Sequence, residues 1–271
     1  MGRRPGSAAA AALFPVQDVA TWRRALASYD SCIRAKQGTS PTQRHLSKDD
    51  LYLSGTVAAN MRAAKKMTHA EMSRVMRWKL ARGKWRPLQK AFDENNSPAA
   101  VEACTGVACK ALDAGQWKKA LKKVAGLHAV GPATASAVLA LYAPAMAPFM
   151  GDEAMEAVPG SLPCTGNSSA YTEDAYFDFR DALVGRASEL ESLGWTGCTA
   201  EAVGRALWAA AMLSIGKGKK VSKNFQLPPL PAAAAGTAAQ EDAAEAAAAG
   251  CTDEPSKDGG PTKKRRKTLV G

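Results

Sequence analysis

What this chain lacks narrows its chemistry before anything it holds. Its six cysteines, Cys32, Cys104, Cys109, Cys164, Cys198 and Cys251, include no CxxC pair, and only three histidines could help them hold a metal. Cys104 and Cys109 stand five residues apart, so on one helix their side chains diverge instead of converging on an ion. The pattern reads as reduced thiols of an intracellular protein and argues against a zinc or iron–sulfur site. His69 and His128 have no carboxylate or cysteine at ligand spacing, so no metal and no cofactor is expected. Apolar runs long enough to cross a bilayer are missing, which removes the membrane from the expected partners. Period-two alternation is missing too, and with it any case for β-strands. Acid is absent from the opening "MGRRPGSAAAAALFPVQ". That composition suits alanine-rich low complexity or a transit segment, so residues 1–15 are expected to be disordered or targeting.

Base, by contrast, is plentiful. Thirty-six Lys and Arg face 25 Asp and Glu, a formal net charge of +11, which favours a polyanionic partner and DNA above all. From Gly216 the composition shifts to Lys, Gly, Pro and Ala, with ten basic and six acidic residues in 216–271. Such a tail buries too little apolar surface to offset its ordering entropy and is expected to be disordered. Its run Lys263, Lys264, Arg265, Arg266 and Lys267 has the form of a nuclear-localisation signal. The expected location is therefore the nucleus, with an import receptor as a partner.

Between these ends, residues 16–215 read as one all-α domain, expected to be monomeric. Val16–Lys36 carries Val19, Trp22, Leu26, Tyr29 and Ile33 at helical steps. Asp49–Lys66 follows as a helix, with Gly55 a poor helix former within it. Thr68 and Glu71 form a capping box for a helix that should end near Gly83 in a left-handed cap. Ser97-Pro98 starts another helix, and "QWKKALKKVAG" makes a basic one. Pro159–Ala170 reads as a loop, and Thr172 and Thr199 each cap a helix running to Leu193 and Ile215.

The stretch "VAGLHAVGPATASAVL" joins two helices through a tight turn. Gly126 ends the first helix, Leu127 and Val130 form the apolar pair of a hairpin, and Gly131 permits close backbone approach. Pro132 then opens a second helix whose small residues allow tight packing. The amides of Gly131, Ala133 and Thr134 would project from that helix's N-terminus, where phosphate binds well. Lys118, Lys119, Lys122 and Lys123 on the preceding helix would add charge near the same place.

This stretch resembles the helix-hairpin-helix motif of the DNA glycosylase superfamily that includes endonuclease III and the adenine glycosylases. There the hairpin reads Leu-Pro-Gly-Val-Gly and, two residues on, Thr-Ala. Here Leu127, His128, Ala129, Val130 and Gly131 take those places, ahead of Thr134 and Ala135. His128 and Ala129 replace the motif's proline and first glycine. The resemblance continues to "PFMGDEAM", where Asp152 stands at the position of an aspartate that caps a helix and faces the sugar of a flipped nucleotide. Bifunctional members carry a lysine nucleophile where Ala133 stands, so the resemblance implies a monofunctional, hydrolytic glycosylase without strand cleavage. The cysteine cluster of endonuclease III is absent. The string "WKLARGKWRP" is similar to one in a eukaryotic group, related to the glycosylases, whose activity is unsettled; that likeness spans about residues 47–215.

The implied chemistry suits one carboxylate. Breaking a glycosidic bond builds positive charge on the sugar, which an aspartate at the cavity edge can stabilise while orienting water. Glu153, its neighbour, should point elsewhere on the helix, and no acid for the leaving base is visible. Further DNA contacts are expected from "RWKLARGKWRPLQK": Arg82, Lys84 and Arg86 on phosphates, Trp85 stacked on bases, and Trp78 in the core. A noncatalytic DNA-binding or adaptor protein, using Asp152 only as a cap, is the alternative of a different class.

Overall fold

A computed structural model describes residues 6–160 and 171–215. Among them there is no strand, and thirteen α-helices carry an all-α fold. The import-type run Lys263–Lys267, the expected tail and most of the expected loop at Pro159–Ala170 lie outside the described residues. None of the described helices is long and apolar enough to cross a membrane.

The first three helices, α1 (Ser7–Leu13), α2 (Val19–Ala27) and α3 (Tyr29–Lys36), pack on the last, α13 (Ala200–Ile215). Within residues 1–15, expected to be disordered or targeting, Ser7–Leu13 forms a helix. Ala10, Leu13 and Phe14 bury their side chains, and Ser7 Oγ donates to the buried Glu156. The alanine run thus forms a packing face, a tertiary use that composition does not reveal. The single helix expected over Val16–Lys36 breaks at Ser28, whose hydroxyl donates back to the Arg24 carbonyl.

Helix α4 (Leu46–Tyr52) continues through a π-helical turn, Leu53–Val57, into α5 (Ala58–Ala64). Gly55 sits inside the π turn, so the chain stays helical through it. Helix α6 (His69–Arg82) begins at the Thr68–Glu71 capping box as expected. Its end differs: Gly83 takes φ −103°, not a left-handed conformation. Two buried acids tie α4 to its neighbours. Asp49 accepts from Arg74 and Arg77 at 2.7 Å each, and Asp50 Oδ1 accepts from Tyr29 Oη at 2.9 Å and Trp78 Nε1 at 2.8 Å. Trp78 accordingly lies in the core.

After α7 (Gln89–Asn95), α8 (Pro98–Asp113) packs against the basic helix α9 (Trp117–Ala125), and a short turn leads into α10 (Pro132–Tyr142). Helix α10 is buried on every side from Ala133 to Ala140. Its alanines and serine let α5, α6, α8, α9 and α12 (Glu173–Ser192) approach it, making it the central helix of the fold. The four-residue α11 (Asp152–Met155) lies between α10 and α12 in the chain and packs on α1 and α13.

Candidate functional site

Three stretches far apart in the sequence line one cavity of about 220 Å³. Helix α6 and the loop after it contribute Lys79, Arg82, Gly83, Lys84 and Arg86. The turn into α10 contributes Gly131–Thr134, and the segment into α11 contributes Phe149–Glu153; Tyr171 completes the wall.

The turn between α9 and α10 is held from below by a residue the sequence reading did not single out. Asn96 is buried, and its amide group accepts from the His128 N–H at 2.9 Å and donates to the His128 carbonyl at 3.1 Å. His128 itself is exposed. Ala129 takes φ 61°, in the left-handed region that favours glycine. Replacing Ala129 by glycine is expected to raise stability by about 0.5–1 kcal/mol, since ~1–2 kcal/mol of strain is relieved and ~0.5–1 kcal/mol of chain freedom is added. Urea denaturation midpoints of the two proteins measure it.

Gly131 is extended at φ −99°, and a side chain there would meet no protein atom within 4 Å. The close neighbour expected at this glycine is therefore not part of the described protein. Of the three amides expected to grip phosphate, that of Thr134 already donates to the Gly131 carbonyl at 3.0 Å. Ala133 and Thr134 are also buried, so only Gly131 presents an exposed surface.

The basic loop divides in the same way. Lys84 is exposed, and Trp85 stands 57 % exposed as one of the few large apolar side chains left in solvent. Arg86 is half-buried with its guanidinium 5.6 Å from the Tyr171 ring. Arg82, expected on a phosphate, is buried instead. Its guanidinium lies 4.6–5.7 Å from the ring centroids of Trp208, Phe149, Trp78 and Tyr29, an arrangement that holds a cation by the negative ring faces. Its Nε has no hydrogen-bond partner among the described residues.

Asp152 is placed by the segment that precedes it. Ser136 Oγ on α10 accepts from the Met150 N–H at 2.9 Å, and Glu201 on α13 accepts from the Phe149 N–H at 2.8 Å. Tyr176 on α12 donates to the Pro148 carbonyl at 3.1 Å. Three helices thereby fix the approach to α11. The cap position falls on Gly151, so Asp152 is the first helical residue and not the cap. Its Oδ1 accepts from Tyr171 Oη at 2.9 Å. Glu153, expected to point elsewhere, is buried and lines the same cavity.

Lys79 is one of the cavity residues, with Phe149, Met150 and Tyr171, that the sequence did not single out. It sits one turn before Arg82, partly buried, where "WKLAR" gave only a helical face to read. Burial holds its ammonium below the ordinary lysine range; the Asp152 charge opposes the shift, and Arg86 adds to it.

The lysines of α9 do not join this cavity. Lys118, Lys119, Lys122 and Lys123 line a separate open groove with Val107. Lys122 lies 3.4 Å from Glu173, and Lys118 lies 4.7 Å from the Phe177 ring centroid. Among the described residues, no three His, Cys, Asp or Glu side chains gather where they could hold a metal ion. Cys32, Cys104, Cys109 and Cys198 are buried, unlinked thiols. No protein-family model, curated protein or solved structure matches the chain.

Proposed function

We propose that the chain is a nuclear DNA-binding protein of the helix-hairpin-helix glycosylase type, which removes a base from DNA by hydrolysis without cutting the strand. One observation carries this reading: the basic loop, the hairpin and the lone-aspartate segment, each singled out separately, meet at one cavity. In this scheme Gly131 receives a phosphate, helped by the open space above it. Lys84 and Arg86 hold the strand, and exposed Trp85 occupies the gap left by the flipped nucleotide. Asp152, oriented by Tyr171, stabilises the sugar cation and directs water onto it.

Incubating the protein with duplexes carrying deaminated, alkylated or oxidised bases tests the reading. Breaks that form only after alkali are expected for at least one lesion. Intact DNA in every lane, with binding retained, would leave a noncatalytic DNA-binding role.

The groove on α9 gives a second expectation. Each lysine that contacts a phosphate should contribute about 0.9 to the slope of log affinity against log salt. Substituting Lys119, Lys122 and Lys123 by alanine should weaken binding to all sequences alike and flatten that slope. Lys122→Ala alone should matter less than Lys119→Ala, because Glu173 already faces Lys122. Fluorescence anisotropy over a salt series measures both.

A further inference from the structure

The reaction proposed above has two tasks, and Asp152 can perform one of them. An ionised carboxylate stabilises the sugar cation, but the same group cannot also carry the proton that a neutral base needs when it leaves. The cavity contains a second ionisable side chain suited to that task. Lys79 lines the same cavity as Asp152, on a helix anchored at its start by a capping box and along its length by Asp49 and Asp50. The other charged or titratable groups of that cavity are Arg82, Lys84, Arg86, Asp152, Glu153 and Tyr171.

We propose that Lys79 is the general acid of this site and donates its Nζ proton to the departing base. As the C1′–N bond breaks, its electron pair passes to the base and the Lys79 proton follows. Water then adds to C1′ and gives its proton to Asp152, from which Lys79 is reprotonated, so the products are the free base and a C1′ hydroxyl. This rests on the base-removal reading. An exposed lysine holds its proton too firmly to be an efficient acid near neutrality. Burial in the cavity weakens that hold, while Asp152 keeps the ammonium form populated. Arg82 is stacked among four rings, and a guanidinium gives up no proton, so neither it nor Arg86 can replace Lys79.

The test compares wild type, Lys79→Gln, Lys79→Arg and Glu153→Gln on duplexes carrying a neutral lesion (uracil, hypoxanthine or 8-oxoguanine) and on one carrying N7-methylguanine. The methylated base leaves as a neutral molecule and needs no proton. Lys79→Gln and Lys79→Arg should each lose about 10²–10⁴-fold in rate on the neutral lesion, with DNA affinity and melting temperature retained. Release of N7-methylguanine should change little. The wild-type rate on a neutral lesion should fall as pH rises through the lowered pKa of Lys79, and that fall should be absent in Lys79→Arg. Equal loss on both kinds of lesion, no loss in the Lys79 variants, or loss in Glu153→Gln alone would overturn the proposal. So would wild-type release of the cationic base only. If wild type releases no base from any duplex, the function reading itself fails and takes this inference with it.

Discussion

Substituting Asp152 by asparagine is expected to slow base release by roughly 10²–10⁴-fold while leaving DNA affinity and thermal stability almost unchanged. The argument is one of charge at constant shape. Asparagine keeps an oxygen that can accept the 2.9 Å hydrogen bond from Tyr171, so the wall of the cavity should stay in place. What it removes is the negative charge, and that charge matters most where the sugar becomes cationic. An interaction made mainly in the transition state lowers kcat and kcat/KM together and leaves binding alone. Single-turnover kinetics on the released lesion, with anisotropy for affinity, separates the two quantities. Tyr171→Phe should give a smaller loss, because it removes the group that orients the carboxylate but not the charge. A variant that loses affinity and turnover in equal measure would mark Asp152 as a structural residue. In that case the noncatalytic reading would account better for the cavity.

How far this site could be read from the sequence depends on how local its determinants are. The capping box at Thr68, the Ser97-Pro98 start and the Gly-Pro entry to α10 are written within four residues of where they act, and each appears where the chain announces it. Burial is not local in that sense. Arg82 looked like one more cation in a basic run, yet the rings that enclose it come from Tyr29, Phe149 and Trp208, up to 126 positions away. Lys79 and Glu153 are similar cases, since the cavity they line takes residues from α6, the turn into α10 and the segment into α11. Asn96 was silent because an asparagine at the end of a helix is ordinary until the hairpin backbone arrives against it. The opening alanines were misleading for the opposite reason. A low-complexity segment can still pack when a complementary helix face waits for it, and α13 supplies that face.

The helix that carries Lys79 and Arg82 depends on a buried acid elsewhere, and that dependence gives the largest stability effect expected for the chain. Asp49 is 2 % exposed and accepts hydrogen bonds from Arg74 Nε, Arg77 Nε and Arg77 Nη2, all within 2.8 Å. Asp49→Ala should cost about 3 kcal/mol, the lower end of the range for a broken buried pair, because both arginines still reach solvent. Burial alone would raise the pKa of this carboxyl, but the hydrogen bonds and charges of Arg77 and Arg74 outweigh it and hold it below the ordinary carboxylate range. The sign of the pH dependence follows. A group whose pKa is depressed by folding contributes fully above its unfolded pKa and loses that contribution as pH falls through the folded one. The gap between wild type and Asp49→Ala should therefore be constant from neutrality down to about pH 5 and narrow as pH falls through the folded pKa of Asp49. Asp49→Asn should lie between them at neutral pH, since it keeps an acceptor but not the charge. Urea denaturation across this pH series checks the prediction; a gap that persists unchanged at the acid end would mean that Asp49 acts through packing alone.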